Sequence, residues 1–343
     1  MTRGWEDVVA RVRGLSTHLF GRVRLGELAR MRDLSRLAAA LDEAFGPAVG
    51  LTAGSSAEQL EIAVRRAAAR HLRIIARWSG RRAAYLAPLL LDEDRRSVRA
   101  LLRGASAGSP PPERVAALVP TPTLPESALD ELARQPSVGR VVALLTAWGH
   151  PFGSPLLDEA RRSQPDLLRL DVLLNTEYAI RSIAAVRRAP RGDEARHDLV
   201  ALVRETIDLE NASTAMQLAE HRSGTDPAVL FMPEGRWLDR ATFLAAATAP
   251  DEDAGLATLG RAFRGTSLAP VLAAVPRKAF EDAALSTLLR RALRAARERP
   301  LGAAPVIAFF VRLRAEVRDL RFIIWRVALG APPPPADALL TIA

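Results

Sequence analysis

An acid and an amide stand three residues apart in DLENASTAMQ, at Asp208 and Asn211, where a run of small apolar side chains begins. At i and i+3 the two share one helix edge, so the pair could cap a helix, hold a ligand or join two helices. The stretch recurs. DRRSVRALLR opens on Asp94 with Ser97 three residues on, and EVRDLRFIIW opens on Glu316 with Asp319 three residues on. The three copies begin 114 and 108 residues apart. Apolar residues follow the polar one at fixed offsets: Val98, Ala212 and Leu320 directly after it, then Leu101, Ala215 and Ile323, then Leu102, Met216 and Ile324. Those offsets trace one helical stripe. A carboxylate at the edge of a buried stripe is suited to accept hydrogen bonds from a neighbouring helix, through its arginines or its exposed amides, and so to fix how helices meet. That chemistry is architectural and implies no substrate.

Other chemistry-bearing patterns point nowhere. GASAG, from Gly104 to Gly108, fits the nucleophile elbow G-x-S-x-G with Ser106 as nucleophile, but the elbow needs a strand before it. Here the helical RALLR precedes it and three prolines follow, so Gly104 reads as a helix C-cap. The five histidines, at 18, 71, 150, 197 and 221, never approach closer than 24 residues, and there is no cysteine. No metal pair with local ligand spacing exists, and His221 reads as a helix-end residue. The acidic runs at 92 to 94 and 251 to 253 would repel as a general acid and base. The second follows Pro250 and reads as the negative first turn of a helix. No P-loop sequence is present. No catalytic residue, cofactor or metal is expected.

The elements that must position these residues are helices. Apolar residues keep the i, i+3, i+4 rhythm through LGELARMRDLSRLAAALDEAF, EQLEIAVRRAAARHLRIIARW, STLLRRALRAARER and PVIAFFVRLRAEVRDLRFIIWRVAL, and strand-like alternation is nearly absent. Gly and Pro gather at 104 to 114 and 221 to 229, near one third and two thirds of the 343 residues. The chain is therefore expected to be all-α, with three related helical lobes of about 110 residues (1–110, 111–222 and 223–343). The third would end in a polyproline tail, GAPPPPAD. The N-terminal MTRGWEDVVARVRGL lacks the apolar core of a secretory signal, and GAAPVIAFFV is too short to span a bilayer.

The net charge of +9 raises a nucleic-acid reading. Lys278 is the only lysine, however, and most of the arginines alternate with Glu and Asp as a solvated helical face would. Aromatics make up 5% and are not interleaved with the arginines, so a stacking platform for single strands is missing.

In order and spacing these segments resemble the C subunit of archaeal and bacterial V-type ATP synthases, similar to the d subunit of vacuolar proton pumps. ARVRGLSTHLFGRVRLGELARMRDLSRLAAALDEAF resembles the family's opening. DRRSVRALLRG, IDLENASTAMQL and AEVRDLRFIIWRVALG resemble its three repeat helices of D-x-x-N type, and LFMPEGRWLDRATF is similar to a turn before a helix start. Ser97 and Asp319 stand where the family usually has Asn, and Glu234 interrupts the usual glycine pair before Arg236. An aspartate loses a donor, so the third junction would be wired differently, through Arg318 or Arg321. The resemblance implies a funnel-shaped, non-catalytic rotor subunit, cytoplasmic and peripheral to the inner face of the cell membrane. Its implied partners are the proteolipid ring and the central stalk, with no nucleic acid. The alternative readings are a free-standing helical scaffold or adaptor and an arginine-rich nucleic-acid binder.

Overall fold

Helix-favouring composition and the 3.6-residue rhythm produce sixteen α-helices and no strand among the residues described by the computed structural model: 4–46, 50–116, 118–188, 194–220, 225–272, 280–335 and 338–341. The side chain of Arg81 is also outside the description. In chain order the helices begin with α1 (Glu6–Ser16), α2 (Arg22–Arg30), α3 (Leu34–Phe45) and α4 (Ala57–Ser79). Next come α5 (Ala83–Ser106), α6 (Pro111–Ala116), α7 (Glu126–Ala133), α8 (Val138–Ala147) and α9 (Gly153–Ala160). They continue with α10 (Leu167–Arg187), α11 (Glu194–Glu220), α12 (Arg240–Ala247), α13 (Glu252–Ala262) and α14 (Ala269–Leu272). The last two are α15 (Phe280–Glu298) and α16 (Ala304–Ala328). The chain is all-α, as its periodicity implies.

Local chemistry sets the helix ends. Ser56 and Gln59 form a reciprocal capping box at the start of α4. Asp33, Asp166 and Asp239 accept backbone N–H groups at the starts of α3, α10 and α12. Asp251 does the same for α13, with Glu252 and Asp253 in its first turn, so the second acidic run complements a helix dipole. Asp33 also splits the single amphipathic run LGELARMRDLSRLAAALDEAF into α2 and α3.

One cap differs from expectation. The helix does not stop at Gly104; α5 continues through Ser106, and Gly108, at φ +66°, makes the left-handed turn. Ser109 N–H then donates to the Gly104 carbonyl at 3.0 Å, which closes the helix end. Ser106 is thus a last-turn helical residue with no strand before it, and the nucleophile-elbow pattern is an accident of composition.

Two compact units divide the chain, Met1–Ala83 with Pro110–Ala133 and Leu288–Ala343 forming one, and Ala84–Ser109 with Arg134–Thr287 the other. In the first, α16 packs against α1, α2, α3 and α4. Leu25, Leu28, Leu37, Leu41, Leu60, Leu320, Ile323 and Ile324 fill the core between these helices, joined by Leu339 from beyond the last helix. In the second unit, α11 packs along α10, α12 and α13, and α9 bridges α8 and α10. Phe152, Phe243 and Phe263 are its largest fully buried apolar side chains. Helices α10, α11 and α16 carry buried residues around most of their circumference, as interior helices must.

Candidate functional site

In the second unit Asp208 and Asn211 lie on α11, both with 0% exposure. Asp208 accepts three consecutive backbone N–H groups, from Arg236 at 2.9 Å, Trp237 at 3.0 Å and Leu238 at 3.1 Å. Asn211 exchanges two bonds with Met232, donating to its carbonyl at 2.8 Å and accepting from its N–H at 3.0 Å. One helix edge thereby holds the irregular segment 232–238, whose backbone would otherwise be left unpaired beside the core. Burial pushes the Asp208 carboxyl up, and the Leu238, Arg236 and Trp237 amides pull against it. Gly235 is required by this approach, since a Cβ there would lie 2.3 Å from Asp208 Oδ1. Glu234 adopts φ +76°, the left-handed conformation that a glycine would take more easily. Its carboxylate is 3.5 Å from Arg204 and 3.8 Å from Arg187.

The corresponding pair on α16, in the first unit, clasps two different segments. Glu316 accepts the Phe20 N–H at 2.7 Å while Arg312 donates to the Phe20 carbonyl at 3.2 Å, so both polar groups of that residue's backbone are held. Asp319, with 0% exposure, accepts from Leu340 N–H at 3.0 Å, Thr341 N–H at 2.9 Å and the Thr341 hydroxyl at 2.5 Å. Arg318 completes the group at 3.1 Å from Asp319. Arg321 goes elsewhere, pairing with the buried Glu61 of α4, which also accepts from Trp325 Nε1 at 2.9 Å.

On α5, Asp94 and Ser97 are both buried, and Asp94 lies 3.6 Å from His150 Nε2. His150 Nδ1 accepts from Phe152 N–H at 3.3 Å. His71, half-buried, sits edge-to-face against Phe309 and is pushed down to about 4 by burial, with His18 and Arg70 adding to the effect, so it is neutral near pH 7. His221 lies outside the described residues. Among the described residues no group of three or more His, Asp or Glu could hold a metal ion, and no helix is long and apolar enough to cross a membrane.

A polar network that residue spacing did not reveal accompanies these junctions in the second unit. Arg95, with 0% exposure, donates to Asp92 at 2.9 Å, Asn175 at 2.5 Å and Glu210 at 2.6 Å, and lies 5.0 Å from the Tyr178 ring centre. Arg99 binds Glu210 at 2.8 Å and Asn175 at 2.6 Å, and Arg103 binds Asp171 at 2.5 Å. On α5, then, Arg95 and Arg99 are withdrawn from solvent, whereas Arg96 and Arg103 stay on an exposed face. The i, i+4, i+8 spacing of Arg95, Arg99 and Arg103, matched by Asp171 and Asn175 on α10, is the signal that would have found the network.

Glu316 titrates unusually. Burial pushes it up to about 8, against the Phe20 N–H and Arg312, and Asp319 adds to the rise. The folded chain keeps that proton to about pH 8, whereas an unfolded carboxyl releases it near 4.5. Between those values the folded state binds more protons, so this contribution to stability is complete at the acid end and lost as pH rises. Glu316→Gln keeps an oxygen for the Phe20 amide. It should flatten the slope and be on the order of 2 kcal/mol more stable than the native chain near pH 8. Urea unfolding of both proteins at pH 5 and pH 8 measures this; parallel pH dependences would refute it.

The clasps of Asp208, Asn211, Glu316 and Asp319 bind backbone of the same chain. A family model described as ATP synthase (C/AC39) subunit matches residues 8–334. The C subunit of the A-type ATP synthase of Halorubrum lacusprofundi is 24% identical over 330 residues, covering 93% of this chain and 92% of that protein. Its namesake from Haloquadratum walsbyi is 26% identical over the same shares. A match that runs from within α1 to beyond α16, all three acid-polar helices included, shows that the chain belongs to the ATP synthase (C/AC39) subunit family.

Proposed function

We propose that this chain is the non-catalytic central-rotor subunit of an A/V-type ATP synthase or ATPase, coupling the central stalk to the membrane proteolipid ring during ion transport. The observation that carries the reading is the family match over nearly the whole chain, with relatives named as the C subunit of A-type ATP synthase aligned along 92% of their length. The buried clasps support it physically. A torque-bearing body must deform little, and close-packed helices whose connecting segments are pinned by buried carboxylates resist deformation.

The same reading includes three related lobes, 1–110, 111–222 and 223–343. Two features support them. Asn211 binds Met232 and Asp319 binds Leu340, in each case the N–H 21 residues downstream. The helix order also alternates long pairs (α4 and α5, α10 and α11, α15 and α16) with runs of shorter helices. Asp94 and Ser97 would mark the first lobe's equivalent position. The protein would work on the cytoplasmic side, peripheral to the membrane through the ring.

Affinity purification of the tagged chain from detergent-solubilised membranes of its own cells tests the function. Catalytic, stalk and proteolipid subunits should copurify in fixed ratio. Recovery of the chain without them would favour a free-standing adaptor.

A further inference from the structure

The C-terminal half of α16 and prolines 332–335 line an open groove of about 660 Å³ in the first unit. Phe322, Trp325 and Leu329 recur every three to four residues along it and form a ridge about 10 Å long, two helical turns. Phe322 is 38% exposed and Leu329 77%. Scattered exposed apolar residues are ordinary, but two of them flanking the half-buried Trp325 along one groove mark a contact surface.

Among the described residues the charge beside that ridge is unbalanced. Arg326 also lines the groove yet is only 5% exposed. It donates to the Met31 carbonyl and, at 2.9 Å, to the Ala331 carbonyl, while its Nε is buried without a partner. No carboxylate among the described residues pairs with it. Arg32 adds a second positive charge close enough to disfavour a proton on Arg326, and burial disfavours it more. Arg321, by contrast, is already paired with Glu61. Among the described residues this buried guanidinium is bonded only to carbonyls, without the counter-charge that would offset its desolvation.

We propose that this groove receives an acidic amphipathic helix of another subunit, its apolar side on Phe322, Trp325 and Leu329 and a carboxylate drawn to Arg326. The proposal rests on the assembly reading above. A helix fits because the ridge has the i, i+3, i+7 spacing that a partner helix interlocks with. A carboxylate fits because the missing element is negative charge.

The test uses p-benzoylphenylalanine placed at Leu329 in the tagged full chain, with the same probe at the exposed Val23 as control, followed by irradiation of the membrane-purified complex and peptide mapping. The expected product joins position 329 to a helical segment of another subunit bearing Asp or Glu beside apolar residues, at least tenfold above the control. Leu329→Glu, at a site too exposed to disturb folding, should lower retention of that same partner by about tenfold. The proposal fails if synthase subunits copurify but position 329 cross-links to lipid, to a basic or wholly polar segment, or to nothing, and the assembly reading then survives. If even the native chain brings no synthase subunits with it, both fail.

Discussion

Replacing Asp208 with alanine is expected to lower the unfolding free energy by about 3–5 kcal/mol, because three backbone donors, Leu238's buried and the other two part-buried, lose their shared acceptor. Arg236, Trp237 and Leu238 all point their N–H groups at this one side chain. A typical net hydrogen bond contributes about 1 kcal/mol, and more when the acceptor is charged, whereas a stranded buried donor costs about 1–3 kcal/mol. Three together exceed what relief of the buried charge returns. Asp208→Asn should fall between, since its amide oxygen can replace one carboxylate oxygen while its NH₂ faces donors. Equilibrium denaturation gives the loss, and hydrogen exchange locates it: the amides of 236–238 should exchange much faster while those of α10 hardly change. A loss below about 1 kcal/mol, the size of one ordinary hydrogen bond, or protection of 236–238 left intact, would show that the clasp does not hold that segment.

The same junction shows what residue order can and cannot disclose. Helices are legible because their signal is local: α4 and α16 follow directly from their apolar rhythm, and the acidic run at 251–253 announces a helix start. The acid-polar edges are legible for the same reason, since Asp208 and Asn211 differ from the stripe beside them. Their partners are not. Glu316, Asp208 and Asp319 bind backbone amides in segments without regular structure, at Phe20, at 236–238 and at 340–341, and a backbone N–H has the same chemistry at every non-proline position. Arg321 illustrates the difficulty. Adjacency suggests Asp319, but the helix turns its side chain to Glu61, 260 residues earlier. The cap at Gly108 rather than Gly104 was hidden by a smaller ambiguity, because two glycines four residues apart both permit a left-handed turn and the packing of Ala105 extends the helix past the first.

Arg95→Met should be the other severely destabilising single change, at about 3–5 kcal/mol, the cost typical of removing one partner from a buried ionic group. Burial opposes the charge on Arg95, but Asp92, Glu210 and the Tyr178 hydroxyl outweigh it and raise its pKa. Burial likewise would push Glu210 up, yet Arg95 and Arg99 hold it far below the usual carboxylate range. A depressed carboxyl contributes stability that is present above its unfolded pKa and lost as pH falls through the acid range. The deficit of Arg95→Met should therefore be largest above about pH 5 and shrink in acid, as the unfolded carboxylates of both proteins take up protons. Arg95→Lys should recover little. One ammonium cannot span Asp92 on one side and Asn175 with Glu210 on the other, as the planar guanidinium does through separate nitrogens. Denaturant titrations of the three proteins between about pH 3 and pH 8 decide the matter. A deficit independent of pH would assign the loss to packing against Tyr178 rather than to charge, and a lysine variant as stable as the native chain would mean that the network needs only a positive charge there, not its geometry.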